Sequence, residues 1–164
     1  NNVRPYTGPR GSGVDCEVTL TAARARIKFP ASSRKMVRPY LASLIVRRLP
    51  GSSDDEIYER LLTRERLGST GIGEGIAIPH CRLKECEQAL GILLRLQSPI
   101  DYDAIDQQPV DLVFALLVPE EATEEHLQIL ATLARNFSTE DFRSALRNAP
   151  NEQQLFQRAL SAVE

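Results

Sequence analysis

Apolar residues are concentrated in three runs that predict the strands of a sheet. Val110 to Val118 is apolar at every position except Asp111, which is typical of a strand covered on both faces. The run from position 89 to 96 predicts a second strand. A third run, Ile76 to Ile78, is short and ends at Pro79, which favours the end of a strand.

Two amphipathic segments before the glycine-rich region predict helices. Ser53 or Asp54 caps a helix that runs to about Arg66, with acidic residues in its first turn. A serine pair at positions 32 and 33 caps a second predicted helix that runs to position 49. Pro39 lies inside it. An interior proline costs about 3 kcal/mol, so this helix either begins at Pro39 or is kinked there.

Three more helices are predicted in the last third of the chain. The first covers 124–137 and is capped by Thr123, the second begins at Thr139, and the last begins at Asn151. Apolar residues at helical spacing form one side of the first of these helices: Leu127, Leu130, Leu133, Ala134 and Phe137. In the last helix the apolar residues expected to face inward are Leu155, Phe156, Leu160 and Val163.

The order of these elements predicts the fold class. Helices interleaved with apolar strands indicate an α/β fold, a mixed β-sheet flanked by helices as a sandwich. The length of 164 residues suits a single domain with one core. We assign that domain to residues 31–164. Residues 1–30 are expected to be an N-terminal arm of uncertain structure, with a glycine- and proline-marked loop followed by a weak strand or irregular segment.

Charge and cysteine content exclude several classes of protein. The formal net charge is -2, so the chain lacks the basic excess of a nucleic-acid-binding protein. No apolar run reaches the roughly 18 residues of a membrane span, and the first thirty residues lack a signal-peptide core. Cys16, Cys81 and Cys86 show no disulfide-framework spacing, which is typical of free thiols in a reducing compartment. We therefore expect a cytoplasmic protein with no nucleic-acid partner and no membrane insertion.

The stretch from Arg64 to Arg82 carries the candidate chemistry. His80 follows a short strand and a proline, which places an imidazole at a strand end, where ligand sites form. Such an imidazole can be a metal ligand, a proton shuttle or a phosphoryl acceptor. Ser69, Thr70 and Gly71 belong to a glycine-rich loop whose backbone N–H groups can approach an anion. Arg64 adds a fixed positive charge before this loop.

The second histidine of the chain is His126, in the first turn of the helix capped by Thr123. Helix N-termini favour anions, so His126 there can donate a hydrogen bond to a phosphoryl oxygen on His80. The alternatives are a structural histidine, a surface arginine and an ordinary turn. The glycines match neither a dinucleotide fingerprint nor a P-loop. A zinc site with the cysteines is also open, although Cys81 and Cys86 lack a knuckle spacing.

Two segments resemble a known family. LGSTGIGEGIAIPHCRL (Leu67 to Leu83) resembles the active-site segment of the fructose/mannitol-type enzyme IIA of the phosphotransferase system, and its Gly-Ser-Thr-Gly is most similar to the nitrogen-regulatory branch. The segment from Asp103 to Leu130 resembles the family's second histidine segment. The resemblance implies that His80 is phosphorylated, that His126 is the second active-centre histidine and that Arg64 helps to bind the phosphoryl group. The first thirty residues and positions 36–39 depart from the family pattern.

The resemblance also implies a function. We expect a histidine phosphoryl carrier, formally a phosphotransferase, that accepts its phosphoryl group from an HPr-like phosphocarrier. Its phosphorylation state would regulate target proteins, and it would need no cofactor and no metal. One alternative is a sugar-specific enzyme IIA that passes the phosphoryl group to a IIB domain. The alternative of another class is a metal- or ligand-binding hydrolase domain.

Overall fold

A computed structural model describes residues 2–7, 17–25, 34–121 and 124–160. The side chains before position 36 and at positions 125–127 lie outside this description. The strands are β1 (Asn2–Thr7), β2 (Glu17–Ala25), β3 (Gly71–Gly73), β4 (Ile76–Ala77), β5 (His80–Leu83), β6 (Leu90–Ile100) and β7 (Val110–Pro119). The helices are α1 (Arg34–Val46), α2 (Asp54–Arg66), α3 (Glu124–Phe137), α4 (Glu140–Arg147) and α5 (Glu152–Leu160).

The strands form one mixed sheet in the order β1-β2-β6-β7-β4-β3. Strand β7 pairs antiparallel with β6 on one side. On its other side it pairs in parallel with two short strands in succession, β4 opposite Leu112 and Val113 and then β5 opposite 116–119. The bend between β4 and β5 contains Pro79, whose carbonyl accepts a hydrogen bond from the Leu116 N–H at 2.9 Å. The pairing with β7 therefore fixes where β5 begins.

Helices cover both faces of the sheet. Helices α1 and α2 share one apolar core with β6 and β7, while α3, α4 and α5 share another with the opposite face of the same two strands. Side chains of β7 alternate between these cores, with Val113 in the first and Phe114 in the second, both fully buried. The predicted α/β sandwich, and a β7 covered on both faces, are confirmed.

Most predicted helices agree closely with the structure. Helix α2 begins as expected, because Ser53 Oγ accepts a hydrogen bond from the Glu56 N–H at 3.2 Å. Asn151 Oδ1 does the same for the Gln154 N–H before α5. The Thr123 cap proposed for α3 lies outside the described residues. None of the helices in the described ranges is long and apolar enough to cross a membrane.

Two local predictions were wrong, and one alternative for α1 is excluded. Helix α1 begins at Arg34, directly after the predicted serine cap, so it does not begin at Pro39. Val37 and Leu41 bury its inner face while Pro39 is exposed, and this packing outweighs the local cost of proline. Residues 2–7 form β1 instead of a loop. Pro5 is tolerated there because β1 is an edge strand of the sheet. His80 is the first residue of strand β5, whereas the sequence predicted that it lies just after the end of a strand. The domain boundary at residue 31 stays a prediction, although β2 pairs in parallel with β6.

Candidate functional site

His80 lies at the edge of the sheet, where β5 begins opposite Leu116 of β7. Helix α2 packs beside β5 and brings Arg64, in its last turn, to the imidazole. The Arg64 Nε lies 3.1 Å from His80 Nε2. Two of the residues singled out in the sequence are therefore in direct contact.

The contacts of His80 define its tautomer. Nδ1 lies 2.7 Å from the carbonyl oxygen of Ile78, which can only accept a hydrogen bond, so Nδ1 carries the proton. Nε2 faces an arginine N–H, which can only donate, so Nε2 presents its lone pair. Both contacts require the same neutral ring with the proton on Nδ1. The nitrogen with the available lone pair is thus Nε2.

Burial and charge favour the neutral form of His80. The pKa of His80 is lowered from its ordinary value, mainly because the half-buried ring is desolvated. The bond to the Ile78 carbonyl raises the pKa, the positive charge of Arg64 lowers it, and the negative charge of Glu65 raises it. The net result is an unprotonated, nucleophilic Nε2 near neutral pH.

The loop between α2 and β3 is held by its own hydrogen bonds. The N–H and the hydroxyl of Thr70 both donate to the carboxylate of Glu65, each at 2.8 Å. Ser69 Oγ accepts from the Gly71 N–H at 3.1 Å and donates to the Tyr102 carbonyl at 3.2 Å. The N–H groups of Thr70 and Gly71 are thus already donated within the protein. Anion binding by Ser69, Thr70 and Gly71 stays a prediction.

Gly71 has a packing role that sequence reasoning did not anticipate. A Cβ at this position would lie 2.8 Å from the Cβ of Ala104, so no side chain fits. The Gly71 carbonyl also accepts a hydrogen bond from the Ile105 N–H at 3.3 Å. The glycine therefore lets the loop lie directly against the segment that precedes β7.

A cleft of about 400 Å³ opens beside His80. Because β5 is the local edge of the sheet, the cleft is lined by both helical layers. Its walls include Arg60, Arg64 and Leu67 from the α2 side, and Val118 and Leu130 from the β7–α3 side. Leu67 is 81% exposed. The site is an open, largely apolar depression with arginines on one wall, which suits a macromolecular partner.

His126 lies in α3, but its side chain is outside the described part of the chain. Leu130, further along the same helix, lines the cleft beside His80. The predicted meeting between His126 and His80 stays a prediction.

Cys81 and Cys86 are free thiols near the site. Burial, with a smaller contribution from Cys86, raises the pKa of Cys81 to about 12. Burial also raises the pKa of Cys86 to about 11. In the part of the chain that the structure describes, no group of three or more His, Cys, Asp or Glu residues is arranged to hold a metal ion.

Glu65 is a site residue that sequence reasoning missed. The signal was present: an acidic residue in the last turn of α2, where the helix dipole disfavours negative charge. Its partner Thr70 is itself buried, with Tyr102 OH 3.3 Å from the Thr70 hydroxyl. The relevance of Tyr102 could not be read from the sequence, because it lies 32 positions away.

Comparison with known proteins identifies the family. Residues 20–161 match the family model described as "Phosphoenolpyruvate-dependent sugar phosphotransferase system, EIIA 2". A nitrogen regulatory protein of Pseudomonas aeruginosa is 48% identical over 141 residues, covering 86% of this chain and 92% of that protein. The protein of the same name from Escherichia coli is 41% identical over 133 residues, covering 80% and 81%.

Solved structures agree with these relatives. The crystal structure of nitrogen regulatory protein IIA-Ntr from Neisseria meningitidis has a TM-score of 0.75 and 35% identity, covering 85% of this chain and 91% of that one. The IIA mannitol structure from Escherichia coli, at 17% identity, shares the fold with a TM-score of 0.63, covering 82% and 94%. The resemblance to the nitrogen-regulatory branch is confirmed, and the chain belongs to the phosphotransferase-system EIIA type 2 family.

Proposed function

We propose that this chain is a histidine phosphoryl carrier that accepts a phosphoryl group on Nε2 of His80 from an HPr-like phosphocarrier. The observation that supports this most directly is the pair of hydrogen bonds on His80. The Ile78 carbonyl holds the proton on Nδ1, and Arg64 faces the lone pair of Nε2. The atom that would bind phosphorus, His80 Nε2, therefore has a lone pair and a cation beside it.

The transfer step is an in-line displacement between two imidazoles. The bond between His80 Nε2 and phosphorus forms as the bond between phosphorus and the donor's imidazole nitrogen breaks, and that nitrogen keeps the electron pair. The proton on His80 Nδ1 remains in its bond to Ile78. Catalysis comes from positioning and charge, so the scheme uses no cofactor and no metal.

Arg64 has two roles in this scheme. In the resting protein its Nε donates to His80 Nε2, and its Nη1 donates to the Gly68 carbonyl at 2.9 Å. As the donor docks, the guanidinium exchanges the imidazole for the phosphoryl oxygens, where charge develops. The bond to Gly68 keeps it close during that exchange.

His126 is proposed as a second donor to the phosphoryl group, as the family resemblance implies. His126→Ala should still accept a phosphoryl group, but about 10²–10³ times more slowly, since one positioned donor is lost. An unchanged rate would make His126 a structural residue.

The consequence of phosphorylation is proposed to be regulatory. A phosphoryl group adds roughly two negative charges beside the apolar cleft, which changes the surface that target proteins contact. Relatives named nitrogen regulatory proteins support this reading. A relative from Haloferax volcanii named "PTS system fructose-specific EIIA component" is 34% identical over 127 residues, so sugar transport is the alternative. Exchange with a phosphocarrier would occur in the cytoplasm.

The deciding experiment is incubation with the phosphocarrier, its upstream enzyme and phosphoenolpyruvate, followed by intact mass. One acid-labile, base-stable phosphoryl group is expected, and His80→Ala should acquire none. An acid-stable adduct would indicate Ser69 or Thr70 instead. Onward transfer from the phosphorylated chain to a IIB protein would favour the sugar-transport alternative.

A further inference from the structure

Glu65 bridges the loop that follows α2. Its backbone carbonyl accepts the Gly68 N–H at 3.1 Å, at the start of the loop. Its carboxylate accepts both the N–H and the hydroxyl of Thr70, at the loop's end. Two hydrogen bonds to one carboxylate, together with the backbone bond, hold the loop in one conformation.

Both members of the His80–Arg64 pair are connected to this bridge. On one side, the Gly68 carbonyl accepts a hydrogen bond from Arg64 Nη1 at 2.9 Å. On the other side, the Thr70 carbonyl accepts the Ile78 N–H at 2.9 Å, and the Ile78 carbonyl holds His80 Nδ1 at 2.7 Å. The cation and the nucleophile are therefore positioned by hydrogen bonds that lead back to one residue: to the Glu65 backbone carbonyl on the Arg64 side and to the Glu65 carboxylate on the His80 side.

Local helix preference does not account for this residue. An acidic side chain in the last turn of a helix opposes the helix dipole, so Glu65 is locally unfavourable. Its negative charge also lies close enough to His80 to affect the imidazole. The interactions that stabilise the Glu65 side chain are its hydrogen bonds to Thr70, in the loop that supports the site.

We infer that Glu65 is a positioning residue for phosphoryl transfer. Through the loop from Gly68 to Thr70, it holds the side chains of Arg64 and His80 in contact. This inference rests on the proposed function of His80. Glu65 does not touch the transferred group. It acts by fixing the 3.1 Å contact between Arg64 Nε and His80 Nε2.

Two substitutions separate the effect of the hydrogen bonds between Glu65 and Thr70 from the effect of the negative charge of Glu65. Glu65→Ala removes the charge and the carboxylate's two hydrogen bonds to Thr70, and it keeps only the backbone bond to Gly68. Glu65→Gln keeps the hydrogen bonds to Thr70, because its carbonyl oxygen can accept the Thr70 N–H while its amide donates to the Thr70 hydroxyl. Glu59→Ala is the matched control, because Glu59 is an exposed acidic residue on the same helix.

The first measurement is single-turnover transfer from the phosphorylated phosphocarrier. Glu65→Ala should lower the rate at saturating donor about 10- to 100-fold, as expected for a misplacement of about 1 Å. The donor concentration giving half the maximal rate should stay the same, because the cleft is intact. Glu65→Gln should fall between wild type and Glu65→Ala, and Glu59→Ala should match wild type.

The second measurement is nitrogen-15 NMR of the His80 ring, whose tautomer a merely structural role would leave unchanged in a folded variant. Glu65→Ala should weaken the preference for the proton on Nδ1, and Glu65→Gln should keep it. Both variants should lower the pKa of His80, because the charge of Glu65 raises it. If Glu65→Ala does not fold, Glu65→Asp takes its place, because its shorter side chain withdraws the carboxylate from Thr70.

The outcomes distinguish the two proposals. If a folded Glu65→Ala, or Glu65→Asp in its place, transfers at the wild-type rate, or if Glu65→Gln is as slow as Glu65→Ala, Glu65 is not a positioning residue. If the wild-type chain accepts no phosphoryl group, the proposed function fails. The NMR comparison then still tests whether Glu65 positions the imidazole.

Discussion

Replacing Arg64 by alanine tests how charge is used at His80. The substitution removes a guanidinium whose Nε lies 3.1 Å from His80 Nε2. It leaves the Nδ1 bond to Ile78 in place. The nucleophile is therefore kept in the same tautomer, while its cationic neighbour is lost.

The size of the effect follows from this distance. A phosphoryl group on Nε2 would place its oxygens within about 4 Å of the guanidinium, where unit charges near a protein surface interact by about 4 kcal/mol. Only the part of this interaction energy that is gained on going from the ground state to the transition state affects the rate. Loss of one donor at an oxyanion-type site typically costs about 10²–10³ in rate, and we expect that loss for Arg64→Ala.

The assay is single-turnover transfer from the phosphorylated phosphocarrier, stopped at intervals and read by intact mass. Arg66→Ala is the matched control, because it removes the same charge from an exposed position in the same helix turn. NMR titration should also show a higher His80 pKa in Arg64→Ala, since the Arg64 charge lowers it. Equal rates for Arg64→Ala and Arg66→Ala would refute electrostatic stabilisation by Arg64.

Three further predictions concern pH, stability and thiol reactivity. Because the pKa of His80 lies below its usual 6.5, phosphoryl acceptance should be constant at higher pH and fall only below that value; a decline centred above it would contradict a neutral resting imidazole. Arg147 donates to both oxygens of Asp111, at 2.9 and 3.0 Å, so Arg147→Ala should lower the free energy of unfolding by about 1–2 kcal/mol in urea titrations. Burial raises the pKa of Cys81 and Cys86, so iodoacetamide should modify both slowly before denaturation and rapidly afterwards, as peptide mapping would show.

Long periodic segments were the predictable part of the fold. The nine-residue run ending at Val118 required burial on both faces wherever it was placed, and it became the central strand β7. The Ser53 cap and the acidic first turn defined the start of α2 from local chemistry alone. These signals are local, since each depends on side chains within a few positions of one another.

The excluded helix start at Pro39 and the wrong loop at residues 2–7 share a physical cause. Proline is locally unfavourable in a helix and in a strand, and the sequence shows only that local cost. The structure adds the compensating terms: α1 buries its inner face against the core, and β1 lies at the edge of the sheet. Strand β5 likewise exists because β7 offers it a partner beyond β4.

The sequence by itself was enough to predict which residues do the chemistry: His80 after a rigid proline, a cation at position 64 and a family-specific segment around them. It also determined the fold class, because period and burial follow from side-chain type. Only the tertiary structure decided that Arg64 faces Nε2, that the Ile78 carbonyl fixes the proton on Nδ1, and that Glu65 closes the loop on Thr70. These contacts depend on how β5 and α2 pack together, since hydrogen bonds are decided by distances of tenths of an ångström that no one-dimensional pattern contains.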